Sequence, residues 1–447
     1  MKATLARWAY GALLWLATPL YFARLARRGR REPVYRQAWA ERLGWGGELR
    51  PGRLWLHAVS LGETRAAEPL VQALRAQAPG ISLLLTHGTA TGREAGRALL
   101  REGDTQVWLP YDTPAATRRF LARHRPAVGV LMETEVWPAL LHAAQAAGVP
   151  MVLANARLSE RSLHKAQQLP ALMRPAAAAF SQVLAQTEAD AQRLRAAGAV
   201  AVQVAGNLKF DTTPEPAQLA LGAAWRTVLA AAAPASRPVV LMASSREGEE
   251  APLLAAWAAV LAASPQPRPL LLLVPRHPQR FDAVAALVAD SGLTLQRRSR
   301  WGDAPPPEAL AADVWLGDSI GEMVLYYGLA DAALLGGSFA PLGGHNLIEA
   351  AACGCPIVLG PHTFNFAQAA EQALLAGAAW RAADLPAGVA RALALATDPQ
   401  GSAHAEQARN FAARHRGAAA RMAAQVLALA PGLQPRAGAS PTGAERP

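Results

Sequence analysis

"LWLHAVSLGETRAAEPL", residues 54–70, passes from an apolar run through a polar turn into a helical pattern. The run "LWLHAVS" (54–60) is apolar with little alternation, the mark of a strand covered on both faces. At the turn, Ser60 and Glu63 fit the capping box, in which hydroxyl and carboxylate satisfy backbone donors at a helix start. That gives Glu63 a complete structural job. The alternative places its carboxylate at a strand-to-helix turn facing a ligand, and the reading favoured here turns Glu63 toward that ligand rather than back onto its own helix. A short distance from its carboxylate to the Ser60 backbone N–H would count against it.

The same strand–turn–helix unit recurs along the chain. Further strands are expected at 81–86, 106–110, 127–132, 150–155, 182–186 and 201–206, with helical segments of about ten residues between them. A second series covers 238–244, 268–275, 293–297, 313–318, 332–338 and 356–360. Strand–helix alternation with continuous apolar strands predicts parallel, doubly covered sheets. The expected fold is α/β, with two Rossmann-like domains facing a cleft and ligands beyond the carboxyl ends of the strands. The boundaries read as a membrane anchor (1–31), a first domain (32–210), a linker (211–237), a second domain (238–430) and a tail (431–447) rich in Pro, Gly and small residues, expected to be disordered.

The 447 residues exceed one ordinary core, and 52% apolar content suits buried sheets. A net charge of +11 calls for an anionic partner. No RNA-binding signature, zinc-finger spacing or arginine–aromatic interleaving accompanies it, so no nucleic-acid partner is expected. Against 41 arginines stand only Lys2, Lys165 and Lys209. Cys353 and Cys355 lie too close together for a disulfide framework and are read as reduced and buried. The stretch "WAYGALLWLATPLYFA" (8–23) carries no charge and is followed by "RLARRGRR". It is short for a span, for which about 20 residues are typical. An uncleaved anchor or an interfacial helix at the membrane is expected, with the rest of the chain on the cytoplasmic side.

The polar clusters gather where strands end. "HGTATGRE" (87–94) is a Gly/Thr-rich turn into a helix. "ETEVWP" holds Glu133 and Glu135, a pair of like charges that destabilise one another unless a ligand or cation intervenes; as plain N-terminal helix acids they would only favour the helix dipole. "NARLSERS" (155–162) and "GNLKFD" (206–211) follow, the latter offering Lys209 to a phosphate or carboxylate. In the second half come "ASSREGEE" (243–250) and "VPRHPQRF" (274–281), whose Arg276 and His277 suit a phosphate. "GGSFAPLGGHNLIEAAACGCP" (336–356) opens a helix at "HNLIEA" that can cradle an anion, with Glu349 placed for ribose hydroxyls. It is neither the dinucleotide fingerprint nor a P-loop, and tight packing alone does not require its polar side chains. "AVSLG" approaches the nucleophile elbow, which leaves a serine hydrolase using Ser60 as the alternative. The ten histidines show no H-x-x-x-H or H-x-x-E-H spacing, so no metal is expected.

Together these stretches resemble the 3-deoxy-D-manno-octulosonic acid (Kdo) transferase family of Gram-negative bacteria. The resemblance is carried, in order, by "HAVSLGE", "TATGRE", "PYDTP", "METEVWP", "NARLSERS", "GNLKFD", "REGEE", "PRHPQRF", "GDSIGEM", "GGSFAPLGGHNLIEA" and "GPHTFNF", from about residue 54 to 366. It implies a GT-B glycosyltransferase fold and inverting transfer of Kdo from CMP-Kdo to the lipid A precursor at the inner membrane, with no cofactor. The family's catalytic base falls on Glu63, and its transition-state-supporting positions on Glu133 and Lys209. Its CMP contacts fall on Arg276, His277, Gly321, Glu322, Met323, Asn346, Leu347, Ile348 and Glu349. Departures are small: His87, Arg246 and Leu347 stand where the family pattern has other residues.

Overall fold

The computed structural model describes residues 2–47, 49–211, 213–232, 237–263 and 267–433. The strands are β1 (Leu54–His57), β2 (Leu83–His87), β3 (Thr105–Trp108), β4 (Val128–Met132), β5 (Met151–Ala156), β6 (Gln182–Ala185) and β7 (Val202–Val204), then β8 (Val239–Ser245), β9 (Leu270–Pro275), β10 (Leu295–Arg297), β11 (Val314–Leu316), β12 (Ala332–Leu335), β13 (Ile357–Leu359) and β14 (Ala379–Arg381). They form two parallel seven-stranded sheets, ordered β3-β2-β1-β4-β5-β6-β7 and β10-β11-β9-β8-β12-β13-β14. The expected pair of Rossmann-like halves is present.

In β1 the side-chain period of two decides what packs where. Leu54 and Leu56 share one face with Leu70, Val71 and Leu74 of the helix Leu61–Gln77. Trp55 lies on the other face with Phe120, Leu121, Leu140 and Leu141. Both faces are covered, so the strand reads as an uninterrupted apolar run. Sheet order reverses between β1 and β4 in the first sheet and between β8 and β12 in the second. Such switch points are where open α/β sheets bind ligands. Helix starts are punctuated as the sequence indicates: Ser60, Thr89, Thr113, Ser159 and Thr187 each cap a helix with the side-chain oxygen.

The chain divides into two units, the first comprising the chain up to Asp211 and the segment from Gly417 onward, the second Thr212–Arg416. Two boundaries differ from the sequence reading. The stretch 211–237, read as a linker from its prolines, holds the helix Pro216–Ala231. Pro216 sits at the first helical position, where its missing N–H costs nothing, and the Glu215 carboxylate caps the N–H groups of Ala217 and Gln218 at 3.1 and 2.7 Å. Gly222 brings this helix against Met323–Leu329; a Cβ there would stand 2.3 Å from the Leu325 carbonyl oxygen. The second difference is at the C-terminus, where Ala418–Ala428 returns to the first unit and buries Met422 and Val426 in its core. Asp211 anchors the return by accepting the Gly417 and Ala419 N–H groups at 2.8 and 2.6 Å. Residues 431–433 form a short 3-10 turn; the rest of the expected tail, 434–447, lies outside the described residues.

The N-terminal helix Lys2–Arg28 has two faces. One is fastened to the first unit: the Tyr10 hydroxyl donates to Asp112 at 2.8 Å, and Tyr21 stacks on Tyr111 at 4.2 Å. Leu25 is buried beside Tyr35 and Trp108. The other face presents Leu5, Trp8, Leu13, Trp15, Leu16 and Leu20, each at least 65% exposed. No helix among the described residues is long and apolar enough to cross a membrane.

Candidate active site

In the first unit the polar residues sit beyond the carboxyl ends of β1, β4, β5, β6 and β7, on the side where the sheet order reverses. Ser60, with extended backbone, caps the helix Leu61–Gln77. The Glu63 carboxylate turns back on that start: Oε2 accepts the Val59 N–H at 2.8 Å and Oε1 accepts the Ser60 hydroxyl at 3.3 Å. The expectation that Glu63 points away from its own helix is therefore corrected. Glu63, three residues past the cap, folds back over Ser60 in the manner of a capping box, but takes the N–H of Val59, the residue before the cap, together with the Ser60 hydroxyl. Burial raises its pKa, the Val59 N–H opposes that, and the charge of Glu133 raises it further.

Glu133 follows β4 with φ +57° and is almost fully buried. A non-glycine residue in this conformation costs on the order of 1–3 kcal/mol and persists only where its surroundings fix it. Here β5 does so: the Glu133 N–H donates to Ala154 O at 2.9 Å, and its carbonyl accepts the Arg157 N–H at 3.2 Å. Its Oε2 accepts Arg157 Nε at 2.7 Å. Glu135, two residues on, is pushed up to about 7 by burial and by the charges of Glu63 and Glu133. Asn155, also at positive φ and fully buried, accepts the Leu208 N–H at 3.1 Å through Oδ1. That bond ties the turn Leu208–Phe210, which carries exposed Lys209, to the end of β5. The structure thus groups Glu63 and Glu133 electrostatically and ties the Lys209 turn to the same strand ends. It adds Glu135, Asn155 and Arg157, of which the last two sit inside the already conspicuous "NARLSERS".

Ser60 has no imidazole among its partners. His57 Nδ1 is 2.9 Å from the Thr86 hydroxyl, and His87 Nδ1 is 2.9 Å from Ala58 O. A triad-type serine nucleophile needs an imidazole base within hydrogen-bond reach; among the described residues Ser60 has only the Glu63 carboxylate, at 3.3 Å.

In the second unit, Arg276, Gly321, Glu322 and Met323 line a cavity of about 130 Å³ with Ser244 and Tyr326. This is a subsite rather than a whole ligand pocket, which typically runs roughly 300–1,000 Å³. His277, next in the chain to Arg276, is exposed. Glu322 is already engaged, accepting Arg298 Nη2 at 2.8 Å and the Tyr326 hydroxyl at 3.2 Å. Asn346 caps Leu347–Ala352 by accepting the Ile348 N–H at 3.1 Å. Leu347 and Ile348 are fully buried, so only their backbone can meet a ligand. The Glu349 carboxylate takes no hydrogen bond among the described residues; burial raises its pKa and the Arg276 charge pulls it back. Burial, aided by Arg276, Arg246 and His277, lowers His345 to about 4, leaving a neutral imidazole beside three cationic or titratable groups.

A residue outside the sequence-derived site builds the loop after β12. Glu249 is 1% exposed, and its carboxylate accepts four backbone N–H groups: Arg246 at 2.9 Å and Gly337 at 2.8 Å on Oε2, Phe339 and Ala340 at 3.1 Å on Oε1. Gly336 allows this close approach, since a Cβ there would lie 2.1 Å from Ser244 O. The "REGEE" motif was visible, but not which of its acids turns inward.

Comparison with known proteins adds the following. Residues 37–212 match the sequence family described as 3-deoxy-D-manno-octulosonic-acid transferase (kdotransferase). The 3-deoxy-D-manno-octulosonic acid transferase of Bordetella pertussis is 50% identical over 90% of this chain and 94% of its own length. The enzyme of that name from Haemophilus influenzae is 36% identical over 80% of this chain and 83% of its own. Among solved structures, a glycosyltransferase from Rickettsia africae superposes with a TM-score of 0.53 over 86% of this chain and 99% of its own, at 13% identity; the likeness is one of fold.

Proposed function

The chain belongs to the Kdo transferase family and is a glycosyltransferase with the GT-B fold; from that premise we propose that it transfers Kdo from CMP-Kdo to the lipid A precursor with inversion, using Glu63 as general base. The observation that carries this reading is the carboxylate cluster of Glu63, Glu133 and Glu135 with Arg157 at the ends of adjacent strands. Capping and base catalysis are compatible. An ionised carboxylate offers about four acceptor sites, and the Val59 N–H and Ser60 hydroxyl take two. The remainder accept the acceptor's hydroxyl proton as that oxygen attacks the anomeric carbon. A positioned base of this kind contributes about 10²–10⁴-fold.

CMP leaves as a phosphate, a weak base that needs no general acid. Arg276, His277 and the Leu347 N–H stabilise its charge, and Glu349 is available to the ribose. Kdo's own carboxylate is met by Lys209. Arg157 holds Glu133 in place and offsets its charge.

The acceptor is a membrane amphiphile, and the N-terminal helix is the element that meets the membrane. Its outer face of Trp8, Trp15 and four leucines lies in the interface, and the arginines at 24, 27, 28, 30 and 31 meet anionic headgroups. With its other face fastened to the first unit, the helix lies flat and holds that unit at the surface of the inner membrane. Incubation with CMP-Kdo and acylated lipid A precursor, read by product mass, tests the function. Kdo-sized increments on the lipid with equimolar CMP are expected. CMP release without a lipid product would overturn it.

A further inference from the structure

The helix Glu160–Gln168 begins three residues after Arg157, yet none of its nine residues is buried. Its apolar residues Leu163 and Ala166 are only half-buried. Beneath it lies a cavity of about 420 Å³ in the first unit. Leu153, Met173, Phe180, Val183 and Leu194 wall it, and Leu169, 59% exposed, stands at its edge. It opens to solvent along Ser162, Lys165 and Leu169, and its volume falls within the range of ligand pockets, roughly 300–1,000 Å³.

The lining limits the occupant. The walls are almost wholly aliphatic or aromatic and offer neither a sugar nor a nucleotide base the hydrogen bonds it would lose from water. A hydrocarbon chain loses none. The polar lining comes from Thr134, Ser162 and Lys165, and Lys165 has no ion-pair partner among the described residues. Thr134 lies between Glu133 and Glu135, so a ligand whose tail fills the cavity has its head at the carboxylate cluster. Lys165, rather than the carboxylate end, meets an anionic group of the ligand, whose reacting hydroxyl lies toward Glu133 and Glu135. We propose that this cavity holds one acyl chain of the acceptor, seating the attacking hydroxyl near Glu63. The inference rests on the lipid-acceptor reading above.

The test compares acylated lipid A precursor with the same disaccharide stripped of its acyl chains, under one detergent condition, for the wild type and two variants. Ala166→Trp fills the cavity from its most solvent-exposed wall. Leu169→Asp makes the edge polar at the start of Pro170–Ala178, where Asp is a favourable cap. Both variants are expected to keep the wild-type melting temperature within a few degrees. Each should lower kcat/KM on the acylated acceptor at least tenfold, and the ratio of acylated to deacylated activity should collapse. If both variants fold and keep the wild-type ratio, the acyl site is wrong while the transferase reading stands. If the wild type modifies neither acceptor, the lipid-acceptor reading itself has failed.

Discussion

Replacing Glu63 by Gln separates the two jobs this residue holds. In the folded chain Oε2 takes the Val59 N–H at 2.8 Å and Oε1 takes the Ser60 hydroxyl at 3.3 Å. Gln is the other residue that completes a capping box, and its single carbonyl oxygen can keep the Val59 bond. What is lost is the charge. A hydrogen bond to a charged group is worth about 1.5–3 kcal/mol and a neutral one about 0.5–1.5, so the cap weakens by about 1 kcal/mol. Relief of repulsion from Glu133, which raises the Glu63 pKa, returns part of that. Glu63→Ala has no such compensation: it leaves the Val59 N–H without its acceptor, at about 1–3 kcal/mol. Ser60→Ala removes the cap oxygen, at about 1 kcal/mol.

The catalytic effect is of another size. Loss of a general base costs about 10²–10⁴-fold, or about 2.7–5.4 kcal/mol of barrier at 1.36 per tenfold. Transfer of Kdo measured by product mass, beside thermal unfolding of each variant, therefore gives a crossed pattern. Glu63→Gln should melt close to wild type and transfer at under one hundredth of its rate. Ser60→Ala should melt lower and transfer nearly normally. A Glu63→Gln enzyme retaining a tenth or more of wild-type activity would remove Glu63 as base. A Glu63→Gln melt as low as that of Glu63→Ala would refute the capping argument.

Three further outcomes are expected. Glu249→Gln sets an amide NH₂ against two of the four N–H groups the carboxylate now accepts; at about 1–3 kcal/mol for an unsatisfied buried donor, the loop at 337–340 loosens and calorimetric affinity for CMP falls at least tenfold, whereas unchanged affinity would detach this loop from the nucleotide site. Glu135 carries a folded pKa of about 7 against an ordinary 4.5, so between those values the folded state holds a proton that the unfolded state lacks. Its stabilising contribution is full below about pH 4.5 and is lost as pH rises through 7; the Glu135→Gln variant should lack that downward slope in melting temperature, and identical slopes would contradict it. Trp8→Ala with Trp15→Ala strips two aromatic anchors from the outer face of the N-terminal helix, and binding to anionic vesicles, followed by co-sedimentation, should drop at least tenfold with activity on detergent-solubilised acceptor retained; undiminished binding would place the membrane contact elsewhere.

The sheets were legible because their strands are buried on both faces. Runs such as 127–132 and 268–275 have no solvent side to alternate with. The strand β14 escaped because "AWR" is three residues among alanines, with Trp380 alone favouring a strand. The linker reading failed at Pro216, because a proline that breaks a helix interior is also a good first helical residue. The C-terminal return was not legible, since the bonds that fix it join Asp211 to Gly417 and Ala419, which are distant in sequence. Site residues at strand ends announced themselves by polarity. What the sequence withheld was direction: Glu63 back onto its cap, Glu249 inward to four amides, Leu347 and Ile348 into the core. Side-chain direction depends on which backbone donors are left unpaired nearby, and that is settled only once the strands are in register.

The acids that follow β1 and β4 place the proposed base among like charges. With Glu63, Glu133 and Glu135 all ionised, Arg157 offsets one charge of three. Like charges in a partly buried site raise one another's pKa, as burial and these neighbours do for Glu63 and Glu135. Glu133 is held by Arg157 Nε at 2.7 Å, and Glu63 by the Val59 N–H at a helix start, where the dipole favours a negative charge. Glu135 is pushed up to about 7 by burial and by the charges of Glu63 and Glu133, and a proton on it removes one like charge from the cluster. The capping bonds from Val59 and Ser60 favour the ionised form of Glu63 against burial and the Glu133 charge, and they leave carboxylate acceptor sites open, as the proposed base role requires.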